Sequence, residues 1–359
     1  MIINRYLVRT IHLGTFTVLL ALAGLGVFFI FIGELKDLGE GAYDLPQVAK
    51  FVALSIPGKL VEFMPLAVLL GSILSLGSLA SNSEIIAMQA SGVSLAKLIT
   101  SLLQAAVILA LLSFLLAEWV VPASETSARA VKNLVRGKST ALFVKEGLWI
   151  KDESSVLHID KLLPGGIARN IEIFKLDQQG KLESIARVVR AIPIEQGWEL
   201  QQVERSIIGD NGVDTASYDR LIYKGNLSPQ LLEVLMIEPQ QMSSGDLYAY
   251  LDFLNENKLD ASAEQLIFWQ KIFSPLAVIV MCLLAFPFVL GVQRQSNTGQ
   301  RMLIGILLGL AFVVVDRLVT QLAVQVGVNA ILVALLPSLI FLAVAIYLLA
   351  GRPSHGSGG

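Results

Sequence analysis

Six stretches of the chain stay apolar for about twenty residues or more, and they fall into two groups of three. Ile11–Gly33, Ile56–Ala80 and Leu98–Val121 come first; Ile267–Val292, Met302–Val326 and Ala330–Ala350 come last. An α-helix rises 1.5 Å per residue, so about 20 apolar residues cross a hydrocarbon layer of roughly 30 Å. Each stretch therefore predicts a membrane-spanning helix. Arg5 and Arg9 in front of the first stretch would suit a secretory signal. Its apolar core exceeds the ~7–15 residues of a signal core, however, and Glu34-Leu35-Lys36 stands where a small-residue cleavage site belongs. It is read as a span.

Between the two groups the period changes from helical to alternating. Leu157 and Ile159 alternate with His158 and Asp160, and Trp198 and Leu200 with Glu199 and Gln201. Turn pairs punctuate this region at Gly165-Gly166, Gln179-Gly180, Gln196-Gly197, Asp210-Asn211-Gly212 and Gly225-Asn226. Short strands with regular turn signals predict an all-β sandwich or jellyroll. From Ser243 to Asn257 the helical period returns, with Leu247, Tyr250, Leu251 and Leu254 on one face, which predicts a short amphipathic helix before the fourth span.

Charge sharpens this division. Of 359 residues 54% are hydrophobic and only 16% charged, against about 25% in soluble domains. Between Pro122 and Ala263 lie 16 of the 27 Lys+Arg and 20 of the 29 Asp+Glu, so a water-soluble insert separates two membrane blocks. Lysines and arginines of the short connections set orientation. With the N-terminus inside, the inner side holds Arg5, Arg9, Lys97, Arg294, Arg301 and Arg352, and the outer side only Lys36, Lys50 and Lys59. Both termini are therefore expected in the cytoplasm and the insert beyond the membrane. A formal net charge of −2 gives no reason to expect nucleic-acid binding. The lone Cys282 excludes an internal disulfide or cysteine-based zinc site. His12, His158 and His355 lack ligand spacing, no metal or cofactor is expected, and the Ser/Gly-rich tail from Ser354 is set aside as a linker.

Several local patterns carry candidate chemistry. Ser81-Asn82-Ser83-Glu84 reads as a capping box that starts a short helix, Ile85 to Ala90, stopped by Ser91-Gly92. Its apolar residues Ile85, Ile86 and Met88 would either lie on the membrane surface or insert into a cytoplasmic partner. In the fifth span Asp316-Arg317 interrupts an apolar run; such charges either pair with one another or face a cavity or partner. Gly305 and Gly309 in the same span, and Gly71, Ser75 and Ser78 in the second, make small-residue faces for close packing. Lys36, Lys59, Arg129 and Lys132 cluster at the outer ends of the first three spans, as phosphate ligands or as interface anchors. Pro275 and Pro287 are expected to kink or break the fourth span.

Enzymatic signatures are missing. There is no GxxxxGK[ST] phosphate loop, no H-E-x-x-H, no recognisable serine triad and no pair of intramembrane aspartates, so a non-catalytic role is expected.

Taken together, Glu34-Leu35-Lys36 with Gly39, Gly41, Tyr43 and Asp44, the run Leu76 to Glu84, Met88-Gln89-Ala90-Ser91-Gly92, Gly147-Leu148-Trp149, and Phe286–Gly291 leading to Arg294 resemble the lipopolysaccharide export permeases over essentially the whole chain. The resemblance implies a heterodimer in a Gram-negative inner membrane, with LptF as the partner permease, an LptB ATPase dimer below, the single-span LptC beside a lateral gate, and LptA chained to the jellyroll edge. The cargo it implies is lipopolysaccharide or lipooligosaccharide. It places Glu84, with Ile85, Ile86 and Met88, on the ATPase-coupling helix, and Arg129, Lys132 and Lys36 among the basic positions that face lipid phosphates. Lys59 is displaced by one from such a position, and Phe28-Phe29-Ile30-Phe31 stands where other members carry a further lysine. An apolar jellyroll interior would accommodate acyl chains.

The expected architecture is a membrane α-helical protein of six spans, three plus three, with a periplasmic all-β, jellyroll-like domain. Residues 1–121 hold the first three spans with a coupling helix at about 81–92, 122–263 the β domain, 264–351 the last three spans, and 352–359 the tail. Two other functions fit the residues alone: a permease of another ATP-driven lipid or lipoprotein exporter, or a membrane scaffold without transport.

Overall fold

The structure, a computed structural model, describes residues 2–135, 148–152, 155–163, 167–177, 181–194, 197–209, 212–223, 239–256, 260–290, 298–326 and 328–350. Its helices are α1 (Ile2–Glu34), α2 (Leu45–Ser81), α3 (Glu84–Ala90), α4 (Leu95–Leu115), α5 (Val121–Val135), α6 (Ser244–Glu256), α7 (Ser262–Leu290), α8 (Thr298–Val326) and α9 (Ala330–Ala350). Among the described residues six helical stretches are long and apolar enough to cross a membrane, at the places the hydrophobic runs predict. Along α8, Leu303, Leu307, Leu310, Val314, Leu318 and Leu322 form an exposed stripe that water would not tolerate and a bilayer does. The expected turns at Gly165-Gly166, Gln179-Gly180 and Gly225-Asn226 lie outside the described residues, as do Gln196, Asp210-Asn211, Gly147, Gly291 to Arg294 and the tail.

The prolines do not interrupt the fourth span. Pro275 and Pro287 both lie inside the continuous helix α7. Proline leaves the carbonyl four residues earlier without its N–H donor. At Pro275 that carbonyl belongs to Lys271, and the Ser274 hydroxyl donates to it at 3.0 Å. The third span also runs further than its apolar stretch. A π-helical turn, Leu116–Val120, joins α4 to α5 just before Pro122, so the helix carries Arg129 and Lys132 with it.

Packing divides the chain into two units: Met1–Lys36, Val52–Glu125 and Ser262–Gly359 form one, Asp37–Phe51 and Thr126–Ala261 the other. In the first, α2 is the most buried of the six spans. At Gly71 its backbone meets that of α1, where an added Cβ would strike the Cα and N of Thr15 and the carbonyl carbon of Gly14. The Ser75 hydroxyl reinforces the crossing by donating to the Thr10 carbonyl at 2.9 Å. Ser78, expected on the same small-residue face, is exposed instead. Gly305 and Gly309 of α8 do pack closely: Gly305 faces Leu70 and Ile73, and Gly309 faces Leu66 and Leu69, all on α2. Cys282 is buried, with its thiol 3.4 Å from the Ser72 hydroxyl.

The second unit is built on one antiparallel six-stranded sheet in sequence order: β1 (Leu148–Asp152), β2 (Ser155–Leu163), β3 (Ile167–Leu176), β4 (Leu182–Ile194), β5 (Gly197–Gly209) and β6 (Gly212–Tyr223). Its buried face carries Leu157, Ile159, Ile171, Ile173, Val188, Trp198, Leu200 and Val203, with Phe253 of α6 packed against it. Strict alternation does not last the length of the strands. Ala168 and Ile171, Val188 and Ala191, and Leu200 and Val203 are all buried although each pair is three residues apart. The slip falls where Asn170 and Gln202 adopt positive φ of 52° and 54°, at a row the strand pairing skips. As expected, α6 buries Leu247, Leu251 and Leu254. Ser243 caps it, accepting from the Asp246 amide at 3.1 Å and donating to the Asp246 carboxylate at 2.6 Å.

Candidate functional site

The connector between the second and third spans is the first candidate. The predicted capping box does not form. Ser81 ends α2 and its hydroxyl donates to the Ser78 carbonyl at 2.8 Å. The chain then reverses through Ser83, at φ 61°, and Glu84 is the first residue of α3 rather than its third. The stop is as predicted. Gly92 at φ +91° lets the Gly92 amide donate to the Gln89 carbonyl and the Val93 amide to Met88, both at 3.0 Å. These ends fix which way a helix of barely two turns faces. Ile85 is buried in the helical core and Met88 packs half-buried against it, so both anchor α3 to its own chain. Ile86 is exposed, and it is the apolar group α3 offers outward. The Glu84 carboxylate accepts from the Tyr6 hydroxyl of α1 at 2.8 Å.

A second candidate lies within the helical unit. A pocket of about 640 Å³ is lined by α2, α7, α8 and α9. Asp316 and Arg317 line it, together with Glu62 and Gln270, while Phe273, Met281 and Phe312 supply apolar wall. Among the described residues neither Asp316 nor Arg317 has an ion pair within 4 Å. The Gln270 amide donates to the Thr320 hydroxyl at 2.6 Å, and that hydroxyl donates to the Asp316 carbonyl at 2.7 Å, so α7 and α8 are tied together at the level of the charged residues.

The basic residues differ in how free they are. Lys59 is paired with Glu62 at 2.6 Å, one helical turn away. Lys132 is paired with Asp37 at 2.9 Å and stands 5.2 Å from the centre of the Phe51 ring. Arg129, one turn before Lys132 on α5, is half-buried. Lys36 is exposed on the 3-10 turn Leu35–Asp37 and has no ion pair among the described residues. An exposed pair such as Lys59–Glu62 contributes only about 0–1 kcal/mol. The interior of the β domain offers much less room. The void behind Leu157, Ile171, Trp198 and Tyr223 measures about 20 Å³, enough for a water molecule but not for the acyl chains expected there.

Comparison with known proteins places the whole chain. The family described as "Lipopolysaccharide export system permease LptF/LptG" matches residues 5–351. The chain belongs to that family. Two proteins named Lipopolysaccharide export system permease protein LptG are each 33% identical to it. The one from Haemophilus influenzae aligns over 352 residues, 98% of either chain; that from Escherichia coli K12 aligns over 354 residues, 97% of this chain and 98% of its own. For this LptF/LptG member, Tyr6 is the site residue that sequence reasoning missed. It lies 78 residues from Glu84, and no local pattern marks it. Removing its hydroxyl as Tyr6→Phe is expected to loosen α3 alone. Amide hydrogen exchange across Glu84–Ala90 rises severalfold while that of α4 stays unchanged; equal exchange in α3 before and after would show that the bond does not hold it.

Proposed function

We propose that this LptF/LptG member is the permease subunit through which an ATP-driven exporter lifts lipopolysaccharide from the outer leaflet of the inner membrane. Both termini lie in the cytoplasm and the β domain in the periplasm, in keeping with the lysine and arginine bias of the connections. LptF is the partner permease, LptC sits at their lateral gate, and LptA chains to an edge of the sheet. Among the described strands β1 and β6 are those edges, and β6 exposes Val213, Tyr218 and Ile222.

The observation that carries this reading is α3. Its seven residues are clamped to the helical core by Ile85 and Met88, so a push on Ile86 and Glu84 moves the spans rather than bending a loose loop. An LptB dimer supplies that push. The need for it is physical: each buried CH₂ contributes about 0.8 kcal/mol, so one twelve-carbon acyl chain resists extraction by roughly 10 kcal/mol. Lys36, Arg129 and Lys132 meet the phosphates of the cargo at the outer boundary, with Lys59 as a weaker member.

The test is release of lipopolysaccharide from proteoliposomes to a soluble periplasmic acceptor. Arg129→Gln with Lys132→Gln is expected to lower release about tenfold while leaving the ATPase bound and active. Unchanged release would remove these residues from the cargo path. A complex that binds the ATPase yet releases another lipid and no lipopolysaccharide would replace the cargo assignment itself.

A further inference from the structure

We propose that the groove between α1 and α4 is a binding site for one anionic glycerophospholipid of the leaflet that surrounds the N-terminal end of α1. The groove has a volume of about 580 Å³, within the roughly 300–1,000 Å³ of ordinary small-molecule sites. Along α1 it is walled by Arg5, Arg9, His12, Phe16 and Leu19, a stripe whose spacing of four and three keeps one helix face. Opposite stand Ile108 and Leu112 of α4.

The stripe is graded as a lipid is graded. Its first turns carry two exposed arginines that have no ion pair among the described residues, a setting for a phosphodiester. Beyond them the wall is apolar. Arg9 to Leu19 is ten residues, about 15 Å of rise, which matches one leaflet of a hydrocarbon core about 30 Å thick. Two polar groups sit at the junction. The His12 ring is held by its contact with the Ala105 carbonyl at 3.2 Å. Thr15 also lines the groove; its hydroxyl is buried and has no hydrogen-bond partner among the described residues. Free phosphate would satisfy the arginines but leave the apolar length empty. Nothing here depends on lipopolysaccharide export; it requires only that α1 enters the membrane at its Ile2 end.

Native mass spectrometry of the full chain in its purified complex tests this, with phosphatidylglycerol, phosphatidylcholine and inorganic phosphate as probes. Two basic residues at a membrane surface give a preference for the anionic lipid of roughly thirtyfold. Arg5→Gln with Arg9→Gln brings the two lipids to parity. Those changes also touch the charge bias that sets topology, so a second variant leaves the arginines alone. Leu112→Trp fills the acyl part of the groove and lowers phosphatidylglycerol retention about tenfold. The proposal fails if wild-type protein holds both lipids equally, if Leu112→Trp keeps full retention, or if inorganic phosphate competes as well as the lipid.

Discussion

Glu84→Ala is expected to weaken association with the cytoplasmic ATPase and, with it, release of lipopolysaccharide, while the six spans still insert. The expected weakening is at least about tenfold, as for a charged side chain central to a small interface. The geometry gives the reason. Glu84 stands at the start of α3, half-exposed, with one carboxylate oxygen held by Tyr6 at 2.8 Å. That bond orients the side chain without burying it, which leaves a second oxygen for a partner. Glu84→Gln separates the two contributions, because the amide oxygen still accepts from Tyr6 but the charge is gone. An intermediate loss in Glu84→Gln assigns part of the effect to charge. If co-purification and release survive Glu84→Ala unchanged, the residue only ties α3 to α1, and ATPase coupling runs through another part of the chain.

The second large effect is on stability. Gly71→Ala destabilises the helical unit by about 1–3 kcal/mol, the range for overpacking a tight interior. What the new methyl meets decides this. At Gly71 the obstacles are the Cα and N of Thr15 and the carbonyl carbon of Gly14, all backbone, so α1 and α2 must separate along their length. Separation also loosens Leu7, Ile11, Val18 and Leu19, which α1 buries in the same core. Gly305→Ala is the control. There the methyl meets Ile73 Cδ1 at 2.7 Å and Leu70 Cδ2 at 2.8 Å, the far ends of flexible side chains that can turn aside. Thermal unfolding of the two variants in the same detergent is expected to show several degrees of loss for Gly71→Ala and little for Gly305→Ala. Equal losses would mean that the crossing of α1 and α2 is no tighter than that of α2 and α8.

Ile85 shows why only part of the site was legible. The sequence marks Ile85, Ile86 and Met88 alike as apolar residues in a polar connector, yet the structure buries Ile85, half-buries Met88 and exposes Ile86. On so short a helix the difference rests on the rotation at which α3 leaves Ser83, a single left-handed residue. The stop of α3 was legible because a glycine after a helix is read from local conformational preference alone. That Pro275 does not break the fourth span was illegible for the opposite reason: the loss of its N–H is local, but its cost depends on whether Ser274 can reach the Lys271 carbonyl.

By itself the sequence determined the six spans, the β domain between them, the apolar face of α6 and the closing turn of α3. These follow from hydrophobic length, period and capping, which act over a few neighbouring residues and need no knowledge of the rest of the chain. Tertiary structure decided the aim of Glu84, the backbone contact of Gly71 with α1, the phase slip of the sheet at Asn170 and Gln202, and the groove that sets Arg5 and Arg9 in line with Phe16 and Leu112. Each of these joins groups that lie far apart in the chain or on separate elements. Such contacts exist only once helices and strands have packed, because it is packing, not sequence neighbourhood, that chooses their partners.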